Sequence, residues 1–165
     1  MSRLSRVVFG SRESIAGTVY GTIVVMGAIA AGATTDPRPG KLAGAVSATV
    51  VVLWIAHVYS DALAETVKLG RRLDWAELAS VARRELAIPL AGVAPVISLV
   101  LGELGVLRES TAGWLAMGFG LATLLIQGIR YAGVERMGRL GTAVTVGINL
   151  GLGLLIVGLK AGLGH

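Results

Sequence analysis

The residues best suited to chemistry form a stripe near the middle of the chain. His57, Asp61 and Glu65 are spaced four residues apart, so on a helix they share one face. Histidine titrates near physiological pH, and with an aspartate one turn away it can relay a proton or contribute to a cation site. The other interpretation is a helix end whose charges meet water, which we favour for Glu65 and leave open for His57 and Asp61.

The sequence offers little for catalysis or for a cofactor. It has no cysteine, no glycine-rich phosphate loop with its lysine, and no HExxH motif. Ser60 completes a Ser-His-Asp set only on paper, because neighbouring positions on one helix point in different directions. We therefore predict no enzyme activity, no catalytic residue, no metal site and no cofactor.

The amino-acid composition of the chain is typical of a membrane protein, so the helix that carries the stripe is expected to be one of several membrane spans. Hydrophobic residues make up 54% of the 165 and charged residues only 15%, against roughly 25% in soluble domains. Lipid-facing side chains should be apolar, whereas a soluble domain needs more charge. The net charge of +5 is better explained by basic residues that flank membrane spans than by nucleic acid. We predict a multi-pass protein of the cytoplasmic membrane, with the bilayer as its partner and no nucleic acid.

Hydropathy predicts a single all-α transmembrane bundle of five spans. Each is close to the roughly 20 residues that cross about 30 Å of hydrocarbon. Pro37 and Pro39 separate the first two spans, and Pro89 and Pro95 should kink the third. The predicted spans cover residues 15–33, 42–64, 86–107, 111–131 and 140–159.

A polar segment, residues 65–85, lies between the second and third spans. Asp74 is a candidate N-cap, and apolar residues recur after it at helical spacing, which predicts an amphipathic helix over residues 74–84. This helix either lies at the membrane surface or extends the third span into the cytoplasm.

Loop charges predict the orientation of the bundle. With five spans, the N-terminal segment and the second and fourth loops together hold eleven of the fifteen lysines and arginines, and the other side holds four. Because basic residues concentrate in cytoplasmic loops, the N-terminus is expected in the cytoplasm and the C-terminus outside.

This orientation places most polar residues of the spans in the cytoplasmic half. We therefore expect a polar pocket that opens to the cytoplasm, with Arg130 paired to Asp61 or Glu13. For Arg130 the alternative is snorkelling to the interface, and for Asn149 it is a structural hydrogen bond between helices. The candidate pocket residues are Glu13, Tyr20, His57, Tyr59, Asp61, Gln127, Arg130 and Asn149.

Small residues spaced four apart let helix backbones approach closely in lipid. We expect these glycine pairs to pack helices mainly within one subunit, while a homo-oligomer through the same faces stays open. The pairs are Gly17 and Gly21, Gly40 and Gly44, Gly147 and Gly151, and Gly158 and Gly162.

Two segments carry a resemblance to other proteins. The run from Glu13-Ser14 to Val19-Tyr20-Gly21-Thr22, followed one span later by Ala56-His57-Val58-Tyr59, resembles small uncharacterised membrane proteins of actinobacteria. The resemblance covers mainly the first two spans, and it implies no particular activity.

Two classes of function fit these observations. The first is a small channel or transporter for protons or a small cation, with His57 and Asp61 in the path. The alternative is a non-catalytic membrane scaffold or interaction subunit, which binds a partner protein or lipid through its glycine-rich faces and basic loop.

Overall fold

The computed structural model describes residues 12–35 and 38–163, and these residues form helices joined by short turns, without a β-strand. The predicted all-α class is therefore confirmed. The helices are α1 (Arg12–Thr35), α2 (Pro39–Leu69), α3 (Trp75–Arg84), α4 (Ala87–Ala91), α5 (Val93–Glu103), α6 (Glu109–Val134) and α7 (Arg139–Leu163).

Four of these helices, α1, α2, α6 and α7, are long and apolar enough to cross a membrane. A further crossing is possible for Trp75–Ala91 together with Val93–Glu103, a pair bent by 43°. The described chain thus has four candidate spans, or five if the bent pair counts as one. Large apolar side chains are exposed along α7, among them Leu140, Ile148 and Leu155, which is compatible with a lipid environment.

The bend between α4 and α5 lies at Gly92, between the two prolines of the predicted third span. Pro95 has no N–H, so the carbonyl of Ala91 lacks the donor that a continuous helix would supply. The N–H of Gly92 donates to the Pro89 carbonyl at 3.1 Å, and the Gly92 carbonyl then accepts from Val96 at 2.9 Å as α5 begins. The predicted span is therefore two helices with different directions.

Helix α1 is the central element, because it packs against α2, α4, α6 and α7. The remaining large contacts join α5 to α2 and α6, and α6 to α7. The core lies where α1, α2, α5 and α6 meet, and it includes Met26, Ile29, Val46, Leu99, Met117 and Leu124.

The glycine pairs are used in different ways. Gly17 and Gly21 pack α1 against α4, where a Cβ at Gly21 would lie 2.7 Å from the Ile88 carbonyl oxygen. That pair packs within the subunit, as expected. A Cβ placed on any of the four paired glycines of α7 would meet no atom within 4 Å; these are Gly147, Gly151, Gly158 and Gly162. The glycine face of α7 is therefore open in the single subunit.

Helix α3 is held at both ends. Asp74 is its N-cap: the Asp74 Oδ1 accepts from the Glu77 N–H at 2.8 Å, and Glu77 Oε2 accepts from the Asp74 N–H at 2.9 Å. At the other end, the Trp54 indole N–H of α2 donates to the Ala82 carbonyl at 3.1 Å. The amphipathic helix predicted over residues 74–84 thus corresponds to α3, and it packs beside the C-terminal half of α2.

Within the bent pair, the start of α4 and the end of α5 lie beside opposite ends of the apolar part of α2. At one end, Glu103 Oε2 accepts from the Gly40 N–H at 2.8 Å. At the other, Glu85, in the turn before α4, interacts with Asp61. Gly40 and Asp61 are 21 residues apart on one continuous helix, which is about 31 Å at 1.5 Å per residue. The bent pair therefore extends over about the thickness of a bilayer core.

Candidate functional site

The imidazole of His57 joins α2 to α1. Its ring lies against the Tyr20 ring, with centroids 5.1 Å apart and planes inclined by 47°. His57 Nδ1 is 3.0 Å from the Leu53 carbonyl oxygen, one turn earlier. A carbonyl only accepts, so Nδ1 carries the hydrogen in this bond. Nε2 is then the nitrogen that can accept a hydrogen bond.

The partner of Asp61 is a second carboxyl group. Asp61 of α2 and Glu85 line the same small cavity and interact electrostatically, and both side chains are half-buried. Two carboxylates this close repel each other when both are ionised. His57 also interacts electrostatically with Glu85. We call His57, Asp61 and Glu85 the carboxyl cluster.

A small cavity of about 240 Å³ leads from the carboxyl cluster to the polar end of α2. Asp61, Glu65, Lys68 and Glu85 line it, and Glu65 forms an ion pair with Arg84 of α3. Glu65, which we expected to meet water, therefore joins α2 to the end of α3. Asp61 and Glu85 of the carboxyl cluster thus border this cavity, whereas His57 does not line it.

Two other predicted residues lie together in a different cavity. Arg130 Nη1 donates to Gln127 Oε1 at 3.1 Å, and both side chains line a cavity of about 670 Å³ between α1, α4, α5 and α6. Asp61 interacts with Glu85 rather than with Arg130, contrary to one of the two pairings that we expected. The side chain of Glu13, the other expected partner, lies outside the described part of the structure.

Asn149 lies in a third hollow, of about 510 Å³, between α1, α6 and α7. Tyr20 and Thr145 line the same hollow, so Tyr20 borders it and also contacts His57. Asn149 faces Gly128 of α6, where a Cβ would be 3.0 Å from its Nδ2. Tyr59 is 65% exposed and faces outward from α2.

The predicted single pocket is therefore divided. The structure brings Tyr20, His57 and Asp61 together, and it separates them from Gln127 and Arg130. Glu85 completes the cluster although it was not among the predicted pocket residues. The sequence signal was present: Glu85 is the last acidic residue before the apolar, proline-containing stretch of the predicted third span, and the predicted orientation puts this residue and Asp61 at the same end of the bundle.

The fold defines a class, an all-helical protein with four or five helices able to cross a membrane. Among the described residues, no group of three or more histidine, aspartate or glutamate side chains is arranged to hold a metal ion. Comparison with protein families, with curated proteins and with solved structures finds no match to the chain.

Proposed function

We propose that the protein is a small channel or transporter that moves protons or a small cation across the bacterial cytoplasmic membrane. The observation that carries this proposal is the pair of Asp61 and Glu85, which line one cavity and lie close enough to His57 for Glu85 to interact with it electrostatically. Ionisable groups are costly at membrane depth, and they are typical of ion and proton pathways. Here three such groups lie together in a protein that is otherwise mostly apolar.

The proposed path begins in the cavity at the polar end of α2. A proton taken up there is shared by Asp61 and Glu85, and it passes to Nε2 of His57. The path continues past Tyr20, whose ring contacts His57 and also borders the hollow that contains Asn149. The same two carboxyl groups, once both are ionised, offer oxygen ligands to a small cation.

The orientation and span number belong to the same proposal. We propose five spans with the N-terminus in the cytoplasm, so that the cavity beside Asp61 opens to the cytoplasm. The distribution of lysine and arginine supports this orientation. Helices α4 and α5 support the fifth span, because the start of α4 lies beside Asp61 and the end of α5 beside Gly40, about a bilayer core apart along α2.

The test is ion flux in liposomes that contain the purified protein and an entrapped pH-sensitive dye. After a pH step, we expect proton flux in the wild type and a fall of at least tenfold in His57→Ala and Asp61→Asn. Ser60→Ala is the matched control, because Ser60 lies on the same helix but is exposed. Repeating the step with sodium or potassium gradients separates a proton from a small cation. Equal flux in the wild type, the variants and empty liposomes would overturn the proposal.

One observation favours the alternative, a non-catalytic scaffold or interaction subunit. The paired glycines of α7 face open space, so they are available for close contact with another helix. Because the chain has no cysteine, single substitutions give a clean cross-linking test. Under this alternative, Gly151→Cys cross-links in membranes, Ile156→Cys, which packs toward the core, does not, and His57→Ala leaves assembly unchanged. Absence of any product at Gly151→Cys would count against it.

A further inference from the structure

The largest of the three cavities described above is a consequence of the bend at Gly92. Helix α5 packs along α6, whereas α4 packs against α1 instead, and the segment Trp75–Ala91 that α4 ends is bent by 43° from α5. The divergence leaves about 670 Å³ between α1, α4, α5 and α6. This volume lies within the range of about 300–1,000 Å³ that is typical of ligand sites.

The mouth of this cavity is apolar and faces sideways. Leu90, Val93 and Ile126 line it, and each is about half exposed on the outer surface of the bundle. In a membrane these side chains face the acyl chains of the surrounding lipid. The cavity therefore opens toward the hydrocarbon and not only toward water.

The inner wall carries one polar group without a protein partner. Gln127 is only 6% exposed, and its Oε1 accepts from Arg130, but its Nε2 makes no hydrogen bond among the described residues. Among the described residues, every fully buried side-chain nitrogen or oxygen atom has a hydrogen-bond partner. Nε2 of Gln127 has none, so this atom is not fully buried and is exposed to the cavity that Gln127 lines. The hydroxyl protons of Thr18 and Thr123, which also line it, are donated to the carbonyls of Ser14 and Phe119.

We propose that this cavity binds an anionic amphiphile, with its acyl chain between α4 and α6 and its carboxylate or phosphate oxygen at Gln127 and Arg130. The amide Nε2 and the guanidinium are donors, so the ligand head must accept, and anionic oxygens accept most strongly. The apolar mouth suits a hydrocarbon chain and excludes a small hydrophilic anion. A free fatty acid and an acidic phospholipid share this chemistry. The site is independent of the carboxyl cluster.

The experiment measures lipid binding to the delipidated full-length protein by native mass spectrometry. Two probes have an anionic head, oleate and dioleoylphosphatidylglycerol, and the third, oleylamine, has a cationic head. Oleate and oleylamine carry one chain of the same length, and the phosphatidylglycerol carries two such chains. We expect one equivalent of oleate or of phosphatidylglycerol to bind at least tenfold more tightly than oleylamine. The anionic probe that binds identifies the source, fatty acid or phospholipid.

Two variants test the position of the ligand. Gln127→Leu removes the free donor while keeping a buried side chain of similar size, and we expect about tenfold weaker binding. Ala94→Phe fills the cavity from α5, where Ala94 is exposed, and should abolish binding. Ala48→Phe, at an exposed alanine of α2 outside the cavity, is the control. Equal binding of oleylamine, or equal binding by wild type and Ala94→Phe, would overturn the proposal.

Discussion

At Glu85 the neighbouring side chains act on the carboxyl group in opposite directions. Asp61 repels a negative charge there, whereas His57 and Arg84 lie close enough to attract one. A proton on Asp61 or Glu85 would remove one of the two negative charges, which makes the half-buried pair cheaper to keep than two carboxylates. This is the proton that the proposed pathway exchanges.

Glu85→Gln separates the structural role of this group from its proton chemistry. The amide N–H₂ of glutamine can donate to the Asp61 carboxylate, so we expect stability to change by less than about 1 kcal/mol. The variant cannot release a proton, so proton flux should fall at least tenfold. Thermal unfolding in detergent and dye-monitored flux in liposomes measure the two quantities. Flux at the wild-type rate would show that the Glu85 proton is not exchanged.

Sequence reasoning succeeded at single residues where helical spacing alone decides the neighbour. His57 and Asp61 share a face because they are four residues apart on α2. It failed for the partner of Asp61, because the choice between Arg130 and Glu85 depends on how whole helices rotate and pack. Hydropathy carries no information on that rotation.

Among the elements, the long helices were predictable from length and apolar composition. The predicted span 111–131 lies within α6, and residues 140–159 lie within α7. The third span shows the limit of this reasoning. Pro89 and Pro95 predict a kink, but the size and direction of the bend depend on α4 packing against Gly17 and Gly21 of α1.

The close approach of α1 and α4 makes two glycines of α1 respond differently to the same substitution. A Cβ at Gly21 would lie 2.7 Å from the Ile88 carbonyl oxygen, whereas a Cβ at Gly27 meets no atom within 4 Å. We expect Gly21→Ala to destabilise the protein by about 1–3 kcal/mol, because backbone must move apart. Gly27→Ala should be neutral or slightly stabilising. Thermal unfolding in detergent tests the pair, and equal melting temperatures would contradict the packing of α4 on α1.

For the whole molecule, the central position of α1 explains why the polar residues form three sites. Each neighbour of α1 meets a different side of it, so Thr18 lines the cavity beside α4 and α6 while Tyr20 contacts His57 of α2. A single central pocket would require the helices to surround a common space. Here α1 occupies that space, and the sites lie around it.

The number of spans is a property of the whole molecule, and it determines on which side of the membrane α6 begins. If α4 and α5 together cross, Ser80 on α3 and Ser110 at the start of α6 lie on opposite sides, and if α4 and α5 form a re-entrant loop the two serines share a side. We expect opposite sides, because the end of α5 is hydrogen-bonded to the start of α2 through Glu103 and Gly40, while α3 packs beside the other half of α2. Both serines are exposed, and the chain has no cysteine of its own.

In intact cells, a membrane-impermeant maleimide should label Ser110→Cys and leave Ser80→Cys unlabelled, and inverted vesicles should reverse the pattern. Detergent-solubilised protein, in which both positions react, is the control for reactivity. Labelling of both variants from the same side would exclude five spans. Labelling of Ser80→Cys but not of Ser110→Cys in intact cells would keep five spans but invert the orientation.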